Sequence, residues 1–321
     1  MSRRYARGAG IAFALCAACA LAQDYPTRPI RLVAAFAPGG SADTLARLLG
    51  QYLTEDLGQS VIVDNRPAGG GTVGTDVVAK AQPDGYTLVI GTISTFALAQ
   101  AMYTRLPYDP LKDFAEIGMC VTFPLTLVTP VSSPITSLRE LIEQARARPA
   151  TITFGSQGVG TSAHVFVELM NHMAKIRTVH VPYKGGGPAL NGLLAGEVDF
   201  ATMAVSTALA QVRAGKLRAL AVTSAQPTPR MPGVPAIASV LPGYEALNWH
   251  GLHAPARTPK AIVARLNSEL VKILHRTDVK ERLDAMAMDV VTGSPEQYRD
   301  YIKAQIALWT PLVKASGARS E

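Results

Sequence analysis

The sequence has 321 residues, of which 48% are hydrophobic and 17% are charged. This apolar fraction supports packed cores and excludes a wholly disordered chain, and the length corresponds to about two domains. The formal net charge is +7, from 31 Lys+Arg against 24 Asp+Glu. Whether this charge indicates nucleic-acid binding depends on where the basic residues lie in the sequence.

The first 22 residues have the features of a secretory signal peptide. Three arginines precede the apolar run 8–22, which ends in the small-x-small cleavage site Ala20-Leu21-Ala22. The run is short for a membrane-spanning helix, which needs about 20 apolar residues. Its removal leaves 28 basic against 24 acidic residues, a net charge of +4. We therefore predict export, with Sec favoured over the twin-arginine route, to give a soluble periplasmic protein.

The remaining basic residues are dispersed, so the sequence predicts no nucleic-acid partner. Cys16 and Cys19 lie in the predicted signal peptide, and Cys120 is expected to be a small buried hydrophobic residue. His250-x-x-His253 lacks a nearby set of cysteines or carboxylates, so we predict neither a metal nor a cofactor. We expect a monomer.

Strand-like and helix-like patterns alternate along the mature chain, which predicts an α/β protein. The first half has apolar residues at helical spacing from Leu45 to Leu53 between two buried strands. The second half repeats this order. Predicted strands cover 30–36, 61–63, 86–91, 151–155, 178–182, 198–205 and 217–223, and predicted helices cover 45–53, 75–81, 165–173, 188–195, 207–214, 259–276 and 295–313.

The repeated order predicts two lobes with a cleft between them. An extended apolar run at 122–130 is suited to cross from one lobe to the other, and the proline-rich segment 226–243 is expected to return as a connector. The first lobe is therefore predicted to comprise 23–123 and 227–321, and the second lobe 124–226.

Two glycine loops, 37–42 and 156–162, each follow a strand and lead into a helix. A helix N-terminus presents unpaired N–H groups and the positive end of the dipole, and binding sites in open α/β sheets lie at this edge. Ser41, Thr161 and Ser162 add hydroxyl groups. The sequence therefore predicts an anion held between the loops. Asp43 is expected to complement the helix dipole and becomes a possible contact if the ligand has an amino group.

Enzyme motifs do not fit their required context. The G-x-G-x-x-G match at Gly69–Gly74 follows the second strand, and no acidic residue for a ribose follows the next one. The P-loop-like glycines before Thr161 lack the phosphate-binding lysine, and no G-x-S-x-G is present. A secreted hydrolase or transferase that uses the same cleft remains an alternative, and it would require a histidine within reach of Ser41 or Ser162. A carboxylate sensor that is not coupled to transport is a further alternative.

Several short motifs resemble the Bug family, the periplasmic solute-binding receptors of tripartite tricarboxylate transporters. They are Phe36-Ala37-Pro38-Gly39-Gly40-Ser41-Ala42-Asp43, Val63-Asp64-Asn65-Arg66-Pro67, Pro83-Asp84-Gly85-Tyr86-Thr87-Leu88, His180-Val181-Pro182-Tyr183-Lys184-Gly185, the stretch from Trp249 to Pro255, and Trp309. The resemblance covers essentially the whole mature chain.

The resemblance implies a two-lobe periplasmic-binding-protein (Venus flytrap) fold of type II, with a mixed, mainly parallel sheet flanked by helices in each lobe. It also implies a small organic carboxylate as ligand (a di- or tricarboxylate, an acidic amino acid or an aromatic acid), membrane permease subunits as partners, and no catalysis. Gln157 stands where a small residue is expected. The candidate ligand-binding residues are Phe36, Pro38, Gly39, Gly40, Ser41, Thr92, Gly158, Thr161, Ser162, Ala163, His164, Lys184 and Thr207, with Asp43 as the possible amino-group contact.

Overall fold

The computed structural model describes residues 25–316, so the predicted signal peptide lies outside the described residues. Ten strands are present in these residues: β1 Ile30–Ala34, β2 Val61–Asn65, β3 Thr87–Thr92, β4 Phe114–Pro130, β5 Thr153–Ser156, β6 Val179–Pro182, β7 Phe200–Ala204, β8 Leu217–Val222, β9 Leu247–Pro255 and β10 Asp289–Val290.

The same residues contain ten α-helices and three short turns of other helical types. The α-helices are α1 Ser41–Leu57, α2 Thr72–Ala79, α3 Ala99–Met102, α4 Leu138–Ala147, α5 Ser162–Ala174, α6 Gly186–Leu194, α7 Val205–Arg213, α8 Lys260–His275, α9 Thr277–Ala285 and α10 Pro295–Ser316. Turns of 3-10 helix cover Gly69–Gly71 and Ile237–Ser239, and a π-helical turn covers Ser94–Leu98. No helix among residues 25–316 is long and apolar enough to span a membrane.

Strand β4 joins the two lobes. Its residues from Phe114 to Pro124 pair with β9, and those from Leu125 onward pair with β7 and β8. The strand order is β2-β1-β3-β9-β4-β7-β5-β6, with β8 and β10 also on β4. The first lobe is therefore the one built on β1, β2, β3 and β9, and the second lobe the one built on β5 to β8. The predicted two-lobe type II fold is confirmed, since solved structures of this fold superpose on the chain, as detailed below.

The crossing strand is longer than predicted. It begins at Phe114 rather than at 122, because the preceding stretch continues in the same antiparallel ladder with β9 through two irregularities. Cys120 therefore lies within this strand. The thiol is free and fully buried, and burial raises its pKa, which confirms the predicted small hydrophobic role.

The pairing is mixed, as predicted, but antiparallel pairs outnumber parallel ones among the described strands. Parallel pairs join β1 to β2 and β3, and β5 to β6 and β7. All strands that pair with β4 are antiparallel to it, as is β9 to β3. The reason is the double crossing: β4 leaves the first lobe and β9 returns to it, so the two run in opposite directions.

Helix α1 shows why the apolar spacing is a good predictor here. Leu45, Leu49, Tyr52 and Leu53 are almost completely buried, so the predicted face is the one that packs on the sheet. The helix ends at Gly58, whose φ of 69° places it in the left-handed region and whose N–H donates to the carbonyl of Thr54. The structure adds one turn before the periodic residues, so α1 starts at Ser41 within the glycine loop.

Helix α10 packs against both lobes, on β4 and the turn Ser94–Leu98 and on α5. Ser294 forms a capping box, because Gln297 N donates to its hydroxyl and its own N–H donates to Gln297 Oε1. Arg299 lies 2.9 Å from the buried carboxylate of Glu116 in β4. Trp309 stacks on Phe166 of α5 with ring centroids 5.2 Å apart. Sequence periodicity did not predict α9, whose polar residues leave only Val279 and Leu283 buried.

Candidate functional site

The N-termini of α1 and α5 face each other across a small cavity of about 20 Å³, which we call the head cavity. This is room for about one water-sized group. Parallel strands β1 and β5 bring the two helices to the same edge of their sheets, so the two predicted glycine loops do meet. The head cavity is lined by Phe36, Gly40, Ser41, Ala42, Thr92, Ser94, Gln157, Thr161, Ser162, Asn248 and His250.

Hydrogen bonds between the lobes hold the first turn of α5. Ser162 N donates to Ser94 Oγ at 3.0 Å, and Asn248 Nδ2 donates to Ser162 Oγ at 2.9 Å. Since the Ser162 oxygen accepts from Asn248, its own proton remains available for an acceptor in the head cavity. These two bonds join the first turn of α5 to residues outside the second lobe.

Several donors of the second loop are engaged within the loop. Gly158 N donates to Ser156 Oγ at 3.1 Å, and Gly160 N donates to His164 Nδ1 at 3.4 Å. The Thr161 hydroxyl donates to the carbonyl of Gly158 at 2.8 Å. The Thr161 hydroxyl therefore stabilises the loop conformation in this structure. In the same loop, the Ser162 hydroxyl can donate its proton to a ligand.

The head cavity continues into a cavity of about 340 Å³, which we call the methionine cavity. The two share Phe36, Gly40, Ser41, Gln157 and Asn248. The other residues that line the methionine cavity are Ala37, Pro38, Gly39, Thr44, Leu125, Gly185, Gly186, Gly187, Pro188, Leu190, Met203, Ala204, Ser206, Thr207, Met286 and Met288.

A further cavity of about 550 Å³, the tyrosine cavity, lies on the other side of Gln157. It shares only Phe36 and Gln157 with the head cavity. Its walls include Tyr103, Tyr183 and the glycine turn Gly69–Gly71. Lys184 lines this cavity and is exposed to solvent.

Most of the predicted site residues line one of these three cavities. Phe36, Pro38, Gly39, Gly40, Ser41, Thr92, Gly158, Thr161, Ser162, Lys184 and Thr207 do so. Ala163, His164 and Asp43 do not line them and are buried behind the helix N-termini. That the lining residues bind a ligand stays a prediction.

Asp43 is occupied by the protein itself. Its carboxylate accepts from Gly39 N at 2.9 Å, from Asn65 Nδ2 at 2.8 Å and from Arg47 Nε at 3.1 Å. Burial opposes ionisation of the carboxyl, but the hydrogen bonds from Arg47, Gly39 and Asn65 outweigh it and lower the pKa of Asp43. Its role is to fix the loop before α1, and no oxygen is directed at the cavities as an amino-group contact would require.

His164 packs in an aromatic stack behind the second loop. Its ring lies 3.9 Å from the ring of His180 and is stacked beside Phe154. Burial lowers the pKa of His164 to about 4 and, together with the neighbouring His164, that of His180 to about 3. His180 Nε2 lies 2.6 Å from Ser156 Oγ. These neutral rings support the loop and do not contact the cavities.

Sequence reasoning missed Asn248, His250 and the three methionines of the site. Asn248 and His250 flank Trp249, where the family-like stretch from Trp249 to Pro255 begins. This stretch was the sequence feature that could have indicated them. His250 had been weighed only with His253 as a metal pair. In the structure His250 contacts Ser41 with Nε2 at 2.9 Å, whereas the His253 ring stacks on Phe96. No group of three or more metal-ligating side chains occurs within the described part of the chain.

The model of the tripartite tricarboxylate transporter family receptor matches residues 45–318. The chain belongs to this family. Among curated relatives of this receptor, BugT of Bordetella pertussis is 36% identical over 97% of this chain and 96% of its own length. A protein from the tcbD-tcbE intergenic region of Pseudomonas sp. is 38% identical over 95% of this chain and 92% of its own. The predicted resemblance to the Bug family is confirmed.

Solved structures of similar receptors have the same fold. R. palustris Rpa4515 with adipate has a TM-score of 0.88 and 35% identity, and the alignment covers 92% of this chain and 99% of that one. MatC from Rhodopseudomonas palustris with bound malate has a TM-score of 0.85 and 32% identity, with 90% and 100% covered. The periplasmic binding protein BugD has a TM-score of 0.87 and 32% identity, with 92% and 100% covered. This family receptor is therefore a solute-binding protein.

Proposed function

We propose that this chain is an exported periplasmic receptor that binds the carboxylate of a small organic acid in the head cavity and delivers the acid to a tripartite tricarboxylate permease. The observation that carries the proposal is the meeting of two helix N-termini across a cavity lined with hydroxyl and amide groups and no acidic side chain. Helix N-termini favour anions through their free N–H groups and their dipole.

Two similar structures support a carboxylate as ligand, since one contains adipate and the other malate. The family description supports the permease as partner. The lobes close when the acid contacts both α1 and α5, because a ligand shifts a hinge equilibrium only through contacts that differ between the open and closed forms. We propose the predicted lobe boundaries, 23–123 with 227–321 and 124–226, and a monomeric receptor as parts of the same hypothesis.

Thermal shift with a panel of carboxylates tests the proposal. A ligand that binds only the folded receptor at 100 times its Kd stabilises it by about 2.7 kcal/mol, so binding raises the Tm. Ser162→Ala should weaken binding, because Ser162 offers the hydroxyl proton in the head cavity. Ser224→Ala serves as control, because the Ser224 hydroxyl donates to the carbonyl of Gln226 and Ser224 lines none of the three cavities. A mature protein whose Tm and calorimetric titration respond to none of the di-, tri- or monocarboxylates tested would overturn the proposal.

One observation favours the alternative function, a secreted hydrolase: Ser41 Oγ lies 2.9 Å from Nε2 of His250. It supplies the serine–histidine pair that such an enzyme needs. Two features oppose catalysis. Burial lowers the pKa of His250 to about 4, which makes a weak base at pH 7. Nδ1 faces the carbonyl of Trp249 rather than a carboxylate that would stabilise an imidazolium. Hydrolysis of small esters that is lost in Ser41→Ala would support the enzyme; its absence supports the receptor.

A further inference from the structure

Of the two larger cavities, the methionine cavity shares more of its lining with the head cavity, namely Gly40, Ser41 and Asn248 in addition to Phe36 and Gln157. The tyrosine cavity meets the head cavity only at Phe36 and Gln157. An acid whose carboxylate lies between the helix N-termini therefore extends into the methionine cavity.

The lining of the methionine cavity includes several large apolar side chains. Leu125 and Met203 are buried, and Leu190, Met286 and Met288 complete the apolar surface. Methionine side chains are flexible and polarisable, so they adapt to rings and to alkyl chains alike. Each methylene that moves from water to such a surface strengthens binding by about fourfold.

The polar groups that line the methionine cavity are all uncharged. They are the side chains of Ser41, Thr44, Gln157, Ser206, Thr207 and Asn248. No Asp or Glu is among the described residues that line this cavity. An ammonium group in it would lose its hydration without gaining a charged partner, and neutral acceptors recover only part of that cost.

Asp43 does not change this conclusion. It is the acidic side chain nearest in sequence to the first loop, and its carboxylate is already hydrogen-bonded to Gly39, Asn65 and Arg47. Turning it towards a ligand would break these bonds and leave Arg47 without its partner. The carboxylate of Asp43 is therefore not free to receive an amine.

We propose that the ligand of this receptor is an organic acid with an apolar body and no amino group, and that the methionine cavity rejects amines. This inference rests on the proposed function and narrows its ligand class. Within the classes that the sequence left open, it removes the acidic amino acids.

Calorimetric titration with acids of equal length and different end groups tests the inference. Hexanoate, 6-hydroxyhexanoate and 6-aminohexanoate share the carboxylate and the chain and differ only at the far end. We expect hexanoate to bind and 6-aminohexanoate to bind at least about tenfold more weakly, with butyrate weaker than hexanoate by about fourfold per methylene.

A variant that supplies the missing charge makes the test sharper. Met286 is half-buried at the edge of the cavity, so Met286→Glu places a carboxylate there at little risk to folding. It should strengthen the binding of 6-aminohexanoate relative to hexanoate by about tenfold or more, as an ion pair in a partly desolvated site does. Met286→Gln has the same size without the charge and should not.

The outcomes separate the two hypotheses. Equal affinity of the wild type for hexanoate and 6-aminohexanoate, or equal effects of Met286→Glu and Met286→Gln, would overturn the inference and leave the receptor function standing. If no acid of the series binds and no other carboxylate does, both are overturned.

Discussion

The hydroxyl oxygen of Ser41, the first residue of α1, lies 2.9 Å from Nε2 of His250 in β9. Nδ1 of the same ring lies 2.8 Å from the carbonyl oxygen of Trp249. Because a carbonyl only accepts, Nδ1 is assigned the proton of the neutral ring, and Nε2 accepts from the Ser41 hydroxyl. Burial lowers the pKa of His250 to about 4, so at pH 7 the Ser41 proton is directed at the ring and away from the head cavity.

This relationship predicts that binding of a carboxylate takes up a proton. When His250 is protonated, Nε2 donates to Ser41 and the Ser41 hydroxyl turns its proton to the ligand. A bound anion also raises the pKa of His250, since a nearby negative charge favours the cation. We therefore expect affinity to increase as the pH falls from 7.5 to 5.5, by at most about tenfold per pH unit. Titration calorimetry at pH 5.5 in two buffers of different ionisation enthalpy measures the uptake.

His250→Gln is the matched variant for this prediction. Its amide can still hydrogen-bond to Ser41 but cannot take up a proton, so the affinity should lose its pH dependence while binding persists. Wild-type affinity that is constant over this pH range, with no proton uptake, would contradict the coupling between His250 and the ligand.

Gly70 lies close to Val159 of the second lobe. Its φ is +60°, and a Cβ built there would lie 2.8 Å from the carbonyl oxygen of Val159 in the second lobe. We predict that Gly70→Ala hinders closure and weakens ligand binding by about tenfold or more, since closure is the step that completes the contacts. Titration calorimetry measures the affinity, and circular dichroism confirms the fold.

Gly215→Ala is the control for the backbone strain of that substitution. Gly215 has a φ of +67°, and no atom lies within 4 Å of its built Cβ. Both variants should lose similar stability from the left-handed conformation, about 1 kcal/mol, but only Gly70→Ala should lose affinity. Equal affinities of the two variants would show that the contact with Val159 does not limit closure.

The carboxylate of Asp43 fixes the loop before α1, so its loss should affect both stability and binding. In Asp43→Asn one oxygen becomes an amide donor that faces the donors of Gly39, Asn65 or Arg47. We expect the free energy of unfolding to fall by about 1–3 kcal/mol, measured by urea denaturation, together with weaker ligand binding. Asp84→Asn removes an exposed ion pair with Arg28 and should cost less than about 1 kcal/mol. Similar losses in the two variants would refute the special role of Asp43.

Three buried histidines and the half-buried His180 make the fold sensitive to acid. Burial lowers the pKa of His164 and His250 to about 4, and that of His180 and His253 to about 3. The unfolded chain takes up these protons near pH 6.5, so it binds more protons than the folded chain below that pH. The free energy of unfolding should therefore fall as the pH falls below about 6.5, by about 1.4 kcal/mol per pH unit for each histidine, and stay level above it.

Thermal unfolding between pH 7.5 and 4.5 measures this effect. His253→Phe keeps an aromatic ring against Phe96, on which the histidine stacks at 3.8 Å, and should reduce the slope of Tm against pH. His275→Phe is the control, because His275 is exposed, and it should leave the slope unchanged. A wild-type Tm that is independent of pH in this range would contradict the assignment of neutral buried rings.

Local pattern was a good guide to the elements because helix and strand periods follow from which side chains face the core. The buried residues of α1 are those that the apolar spacing selects, and β1 and β3 lie within two residues of their predicted bounds. The same reasoning failed at α9, whose two buried residues are too few to mark a helical face. The sequence predicted a strand-like stretch at 114–119 and an extended run at 122–130 as separate segments, and the structure joins them in β4.

The sequence by itself determined the order of the elements, the family and the two glycine loops, since these depend on neighbours along the chain. Only the tertiary structure decided which side chains share the cleft. Ser41 and His250 are 209 positions apart. Met203 in β7 and Met286 after α9 line the same cavity. Asp43 stands beside a predicted ligand loop in sequence but is turned to Arg47 and Asn65. Such partnerships arise from sheet order and lobe closure, and no local pattern records them.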